Sequence, residues 1–135
     1  MRIHHIGYLV RHIERAKEEF LPLGYSEQSP VCYDAARDAD ICFLKNGGYA
    51  VELVSPRSEA SVAWRLLKRL GDAPYHICYE AEDFERDVDQ LKKKGCVVVA
   101  AAAAAPALGN RKVIFLSGRN LGLIEIVEGI CDERR

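Results

Sequence analysis

Two histidines and two glutamates recur at matching positions in the two halves of the chain. His5 opens the motif His-Ile-Gly-Tyr, and His76 opens the motif His-Ile-Cys-Tyr. Glu52 follows His5 by 47 residues, and Glu125 follows His76 by 49 residues. Each glutamate lies in an apolar, strand-like stretch, where a carboxylate is costly unless it is paired or binds a cation. The repeat therefore predicts that the four side chains meet around one divalent metal ion.

Two imidazole nitrogens and two carboxylate oxygens form a donor set that suits Zn, Ni, Co, Mn or Fe, and the residue types do not choose among them. Four protein ligands leave two octahedral positions open for water or a bidentate substrate. A single histidine or glutamate on a strand is usually structural, and Glu52 alone could face solvent. The recurrence of all four residues in register favours the metal site.

His4 is the other histidine that could serve in the first half. The repeat aligns His5, and not His4, with His76. Successive side chains of a strand point to opposite faces, so His4 is expected to face away from the site.

The patterns that must position these residues predict an α+β fold built from two β-α-β-β-β modules. Residues 1–58 form the first module, residues 59–72 a linker helix, and residues 73–130 the second module. Alternating apolar stretches predict the strands, and apolar residues at helical spacing predict the helices. The strands are expected near 3–10, 25–33, 39–45, 49–55, 75–81, 96–101, 111–117 and 121–127, and the helices at 12–20, 60–70 and 83–94.

Two segments lack such a pattern. The six alanines from Ala100 to Ala105 follow a β run and are too few to hold a helix by themselves, so an irregular loop is expected. The last residues, from Cys131 to Arg135, are expected to fray.

The composition excludes several classes of protein. The 135 residues carry a formal net charge of −1, and acidic and basic residues are interspersed, unlike the basic surface of a nucleic-acid binder. No apolar run is long enough to span a bilayer. The chain enters a strand pattern at once, which leaves no room for a signal peptide. Its five cysteines include no C-x-x-C pair, which is typical of reduced thiols in a cytoplasmic protein.

Several motifs together resemble the vicinal-oxygen-chelate superfamily, which includes the glyoxalases, bleomycin-resistance proteins and extradiol dioxygenases. The resemblance spans about residues 3–128 and is greatest to the methylmalonyl-CoA epimerase family. It implies two modules that curl into an eight-stranded cup around a metal bound by His5, Glu52, His76 and Glu125. It also implies a homodimer. The motifs are H-H-I-G-Y-L-V from residue 4, V-E-L-V-S-P from 51, Y-H-I-C-Y-E-A-E-D from 75, G-N-R-K-V-I-F-L-S from 109 and G-L-I-E-I from 122.

The chemistry that this resemblance implies is proton abstraction next to a metal-bound carbonyl, as in an isomerase or lyase. The metal stabilises the enolate, and a nearby carboxylate takes or returns the proton. Glu125 matches a residue that is both ligand and base, and Asp40 is the candidate for a second base. Arg111 is the candidate for binding a carboxylate or phosphate of the substrate. The substrate is expected to be a small carbonyl compound or an acyl thioester.

Three alternatives remain at this stage. A lactoylglutathione lyase of the glyoxalase I type uses a similar ligand set, although contacts for glutathione are not recognisable in the chain. An extradiol dioxygenase uses two histidines and one glutamate, so Glu52 argues against it. A non-catalytic binding or resistance protein of the same superfamily commonly lacks the ligands that are present here.

Overall fold

The computed structural model describes residues 1–130, and its fold is of the α+β class that the sequence predicts. The predicted frayed tail, Cys131 to Arg135, lies outside the described residues. Two 3-10 helices, Leu21–Leu23 and Pro106–Leu108, join longer elements. In chain order these are β1 (Arg2–Leu9), α1 (Ile13–Phe20), β2 (Ser26–Glu27), β3 (Cys32–Asp34), β4 (Ala39–Asn46), β5 (Tyr49–Pro56), α2 (Val62–Leu70), β6 (Ala73–Ala81), α3 (Phe84–Lys93), β7 (Val97–Ala105), β8 (Arg111–Gly118) and β9 (Gly122–Glu128).

All the strands belong to one mixed sheet with the order β2-β4-β5-β1-β6-β9-β8-β7, in which β3 also pairs with β4. The first strand of each half lies parallel to its last strand, β1 with β5 and β6 with β9. The antiparallel pair β1 and β6 joins the two halves at the centre of the sheet. Helix α2 lies between the halves in the chain, and the module boundaries at residues 58 and 73 stay predictions.

The strand registers place the two glutamates in equivalent positions. Glu52 lies opposite Gly7, and Glu125 lies opposite Cys78. Each of these partners comes two residues after a histidine, His5 in the first half and His76 in the second. Because side chains two residues apart share a face of a strand, each histidine lies on the same sheet face as its glutamate.

The sheet has nine strands where the sequence predicts eight. The single strand expected near 25–33 is two short strands, β2 and β3, which pair with different parts of β4. Pro30 lies between them and has no N–H to donate to a strand ladder.

The loop expected from Ala100 to Ala105 is wrong, because β7 continues as a strand through all six alanines. The strand pairs with β8 up to the pair Ala105 and Arg111, with register irregularities between Val98 and Ala103. Hydrogen bonds to β8 outweigh the helix propensity of alanine, which is a weak local preference. Strand β7 forms one edge of the sheet, and its side chains are exposed except at Ala105.

The helices divide the apolar core between the two faces of the sheet. Helix α1 packs against one face through Ala16, and α3 packs against that face in the second half through Phe84 and Val88. Helix α2 contributes Ala63 and Leu67 to the cluster on the opposite face, the inner face of the cup. The four candidate ligands lie on this inner face. None of the helices within residues 1–130 is long and apolar enough to cross a membrane.

Candidate metal centre

The structure brings the four predicted ligands together at the centre of the sheet. One potential ligand atom from each residue lies within 4.8 Å of the other three. The Nε2 atoms of His5 and His76 are 3.3 Å apart, and they lie 3.1 and 3.2 Å from Oε1 of Glu125. Their distances to Oε1 of Glu52 are 3.6 and 3.5 Å. Both glutamates are fully buried, so two carboxylates and two imidazoles face one another away from solvent.

Buried polar atoms without partners make this group a good fit for a cation. Within residues 1–130, neither carboxylate oxygen of Glu125 receives a well-aligned hydrogen bond, although both histidines are close to it. Nδ1 of His76 also lacks a partner among these residues, but Nε2 is the ring nitrogen that faces the carboxylates. Native proteins leave few buried polar atoms unpaired. A divalent ion bound by the two nitrogens and two carboxylates would satisfy Glu125 and offset both negative charges.

Neighbouring charges shift the pKa values of His5, Glu52 and Glu125. Burial alone would lower the pKa of His5, but Glu52 and Glu125 raise it to about 9. Burial would raise the pKa of Glu52, but Arg37 and His5 lower it to about 2. The pKa of Glu125 is likewise lowered, because its contacts with His5 and His76 outweigh its burial. The two carboxylates thus favour a proton on His5, and the histidines and Arg37 favour ionised carboxylates.

A second group of potential ligands overlaps the first at His5. His4, His5 and Cys78 also have ligand atoms within 4.8 Å of one another. Metals bind cysteine as the thiolate. Burial, and then the charge of Glu125, raise the pKa of the Cys78 thiol. The group with two carboxylates is therefore the better cation site.

His4 does not face away from the site, so that prediction is wrong. Its Nδ1 lies 2.8 Å from Nδ1 of His5, and its ring packs edge-on against the His5 ring. The pairing of β1 with β6 is irregular between Ile3 and His5. Such a bulge breaks the alternation of side chains along a strand, which is why the period-two argument fails at this position.

Arg111 is connected to the centre through His4. Its Nη2 lies 3.1 Å from Nε2 of His4, and its Nη1 donates to Glu80 at 2.9 Å. Its other donors reach the backbone oxygens of Leu108 and Glu128. Arg111 is thus engaged within the protein, and its predicted contact with substrate stays a prediction.

The structure does not bring Asp40 to the four ligands. Strand β4 pairs Phe43 with Glu52 and Asp40 with Ser55, so the two pairs lie on opposite faces of the sheet. The carboxylate of Asp40 instead accepts hydrogen bonds from Arg57 at 3.0 and 2.9 Å. Asp40 precedes Phe43 by an odd number of residues, and side chains at odd separations point to opposite faces of a strand, so Asp40 does not lie on the inner face.

Arg37 is a site residue that the sequence analysis missed. It lies in the turn between β3 and β4, and its side chain is only 17% exposed. Its Nη1 and Nη2 donate to the two oxygens of Glu52 at 3.4 and 3.3 Å. Its Nε donates to Asp34 at 2.9 Å. The only sequence signal is the Asp-x-x-Arg spacing, which is common in exposed turns.

An apolar cavity of about 130 Å³ adjoins the centre. Arg37, Tyr75 and Phe115 line it and also contact the candidate ligands. Arg37 donates to Glu52, and the rings of Tyr75 and Phe115 pack edge-on against the His76 ring, with centroids 4.4 and 5.3 Å away. Burial raises the pKa of the Tyr75 phenol, which therefore stays neutral at ordinary pH. The rest of the lining, apart from Ser61, consists of Ala36, Val54, Ala60, Val62, Ala63, Leu66, Val99, Ala100 and Leu123.

Comparisons with known proteins agree with this fold. Methylmalonyl-CoA epimerase from mitochondria of Mus musculus is 26% identical over 128 residues, which cover 93% of this chain and 71% of the mouse protein. The crystal structure of methylmalonyl-CoA epimerase from Mycobacterium tuberculosis superposes with a TM-score of 0.83 at 21% identity, covering 96% of this chain and 89% of that one. The Q60A variant of the Streptomyces coelicolor epimerase, in complex with 2-nitronate-propionyl-CoA, gives 0.84 at 20% identity, covering 97% and 99%.

The similarity to the solved structures, at these identities, establishes the shared fold. The family itself is established by the sequence, because the model of the Glyoxalase/Bleomycin resistance protein/Dioxygenase superfamily matches residues 4–115. That match covers most of the chain and includes three of the four candidate ligands. The chain therefore belongs to the glyoxalase/bleomycin resistance protein/dioxygenase superfamily.

Proposed function

We propose that this protein is a metal-dependent enzyme that moves a proton on the carbon next to a carbonyl group, with epimerisation of an acyl thioester as the leading reaction. The observation that carries the proposal is the pair of buried carboxylates, Glu52 and Glu125, that face two imidazoles beside an apolar cavity. The similarity to methylmalonyl-CoA epimerases supports the same reaction class.

His5, Glu52, His76 and Glu125 would hold the metal. A divalent ion at this position would supply a Lewis acid that stabilises negative charge on the carbonyl oxygen of the substrate. The cavity beside it, walled by small apolar side chains, would hold the acyl group and exclude water from the reacting carbon.

Glu125 is the better candidate for the base that removes the proton. Within residues 1–130 neither oxygen of its carboxylate has a well-aligned donor, so one oxygen could bind the metal while the other accepts a proton from substrate. Glu52, in contrast, is held by two donors of Arg37. An epimerisation needs a second group that returns a proton to the opposite face of the carbon, and Glu52 is the remaining buried carboxylate of the centre.

A glyoxalase-type isomerisation is the second candidate. The anchoring of Glu52 by Arg37 favours it, because a single free base can remove and return a proton on the same face of a substrate. The homodimer and the cytoplasmic location expected from the sequence stay predictions.

The test is exchange of solvent deuterium into methylmalonyl-CoA, followed by NMR. The protein is stripped of metal and reloaded with Co, Ni, Zn or Mn, and bound metal is quantified in every sample. We expect exchange that depends on metal and is reduced at least about 100-fold in Glu125→Gln, as for loss of a general base.

Glu59→Gln is the matched control, because Glu59 is exposed and lies outside the site, and it should exchange like the wild type. Stoichiometric metal binding without exchange under any loading would exclude this substrate. Exchange that persists in Glu125→Gln would exclude Glu125 as the base.

A further inference from the structure

We propose that Arg37 is a positioning residue that holds the carboxylate of Glu52 so that one of its oxygens faces the metal, and that Asp34 in turn holds Arg37 in place. This inference rests on the proposed function, because it explains how one ligand of the same centre is oriented. Both residues act through Glu52, and neither needs to contact the metal.

Asp34 and Arg37 form an ion pair within one turn. Asp34 ends β3 and pairs with Ala39, the first residue of β4, so the residues between them form the turn. Oδ1 of Asp34 accepts the backbone N–H of Arg37 at 3.1 Å, and Oδ2 accepts its Nε at 2.9 Å. Asp34 is only 2% exposed, and a carboxylate at such a position is costly unless it is paired. The turn therefore fixes both the backbone and the side chain of Arg37.

Contacts from two other elements hold the same arginine. The hydroxyl of Ser61, at the start of α2, donates to the backbone oxygen of Arg37 at 2.6 Å. The guanidinium carbon lies 5.8 Å from the centre of the ring of Phe115 in β8. Three separate parts of the chain thus aim the guanidinium group, so its direction toward Glu52 does not depend on a bound metal or substrate.

The guanidinium group contacts both oxygens of Glu52 and holds one of them toward the histidines. Its Nη1 donates to Oε1 at 3.4 Å, and its Nη2 donates to Oε2 at 3.3 Å. Oε1 lies 3.6 and 3.5 Å from the Nε2 atoms of His5 and His76. A carboxylate oxygen can accept more than one bond, so Oε1 can bind a metal and keep its contact with Nη1. The arrangement predicts that Glu52 binds the metal through Oε1, while Oε2 stays with Arg37.

The contacts become longer from Asp34 toward the centre. The bond from Arg37 to Asp34, at 2.9 Å, has the length of a strong charge-assisted bond, about 2.7–2.9 Å. The contacts from Arg37 to Glu52 are longer than this range. A cation can therefore draw Glu52 slightly inward without breaking the pair of Asp34 and Arg37.

The second half of the chain treats its glutamate differently. Glu125 matches Glu52 in the repeat, but within residues 1–130 neither of its oxygens has a well-aligned donor. Arg111, at the start of β8, donates to Glu80 instead. The centre thus combines one carboxylate that is held by an arginine with one that is not, which supports different roles for the two glutamates.

The test titrates Co²⁺ into the metal-free protein and its variants by isothermal titration calorimetry. Arg37→Lys keeps the positive charge, and with it the repulsion of the metal ion, but an ammonium group cannot hold both oxygens of Glu52. We expect Arg37→Lys and Asp34→Asn each to weaken Co²⁺ binding about 10–100-fold, as for the loss of other groups that orient metal ligands. The double variant should bind no more weakly than Arg37→Lys alone, because Asp34 acts through Arg37.

The visible absorption of bound Co²⁺ provides a second measurement, because it depends on the coordination geometry. We expect it to change in Arg37→Lys and in Asp34→Asn, since Glu52 is then free to bind through both oxygens. Arg57→Lys is the matched control, because Arg57 pairs with Asp40 on the other face of the sheet and should keep the wild-type affinity and spectrum. Circular dichroism gives the folded fraction of each variant, so that the affinity is expressed per folded molecule.

Wild-type affinity, or a wild-type spectrum, in both Arg37→Lys and Asp34→Asn would overturn the inference. Losses of affinity that add in the double variant would also overturn it, because the two residues would then act independently. A wild-type protein that does not bind Co²⁺ would overturn the proposed function as well, whereas the other outcomes leave that function standing.

Discussion

The imidazole ring of His76 occupies the space that a side chain at position 7 would take. A Cβ atom built on Gly7 would overlap the ring atoms of His76. Gly7 lies opposite His76 in the pairing of β1 with β6 and opposite Glu52 in the pairing of β1 with β5. At the scale of single residues, the absence of a side chain is therefore what lets the two halves bring their ligands into contact.

Gly7→Ala should damage the metal centre. The added methyl group must displace His76 or the strand, which we expect to weaken metal binding at least about 10-fold and to cost about 1–3 kcal/mol of unfolding free energy, as for other overpacked sites. Calorimetric metal titration and urea unfolding measure the two effects.

Gly48→Ala is the matched control, because nothing lies within 4 Å of a Cβ at that position and its effect should stay within about 0.5 kcal/mol. Equal metal affinity in Gly7→Ala and the wild type would show that the ring of His76 is not confined by Gly7.

At the scale of secondary structure elements, β7 is the segment whose conformation depends most on its neighbour. Its residues from Ala100 to Ala105 have little β propensity, and its other edge is open. Only the pairing with β8 keeps it extended, and this strand carries Val99 and Ala100 to the wall of the cavity.

Hydrogen exchange should show β7 as a strand paired along one edge. Amides that donate to β8 should exchange slowly, and those that face solvent should exchange fast, because only one edge of the strand has a partner. NMR after transfer into deuterium oxide measures each amide. The turn residues Arg119 and Asn120 provide a fast reference, and Ile126 in β9 provides a slow one. Uniformly fast exchange from Ala100 to Ala105 would restore the loop that the sequence predicts.

At the scale of the whole molecule, the candidate metal centre depends on both halves of the chain. The first half supplies His5 and Glu52, and the second supplies His76 and Glu125. The central pair of strands, β1 and β6, brings them together. Folding therefore buries two carboxylates, and the free energy of unfolding depends on how their charge is balanced.

The metal-free protein should lose stability as the pH rises from about 6.5 to about 9, because the pKa of His5 is raised from 6.5 to about 9 and folding binds the proton that balances the carboxylates. The protonated His5 stabilises the fold fully below pH 6.5. The lowered pKa of Glu52 acts in the opposite direction, and stability falls as the pH drops from 4.5 toward 2. Urea unfolding across this range measures both slopes.

His5→Gln should remove the loss of stability at alkaline pH. His12→Gln, at an exposed position before α1, is the control and should keep the loss. A wild-type stability that does not change between pH 6.5 and 9 would contradict the charge balance in which His5 carries the proton.

The sequence by itself determined the four candidate ligands and most of the elements that carry them. The match between His5 with Glu52 and His76 with Glu125 is a property of the internal repeat, and the strands and helices follow from local hydrophobic periods. These periods depend only on residues that are close together in the sequence, so they can be recognised without the tertiary structure. The α+β class and the superfamily, both confirmed, follow from the same signals.

Only the tertiary structure decided what joins these ligands from elsewhere in the chain. Arg37 reaches Glu52 from a turn that looks exposed, His4 turns toward His5 at a bulge, and Asp40 faces the other side of the sheet. The alanines of β7 are extended because β8 lies beside them. Each of these features depends on a contact with a distant segment or on a one-residue change of strand register. Neither of these produces a periodic pattern in the sequence.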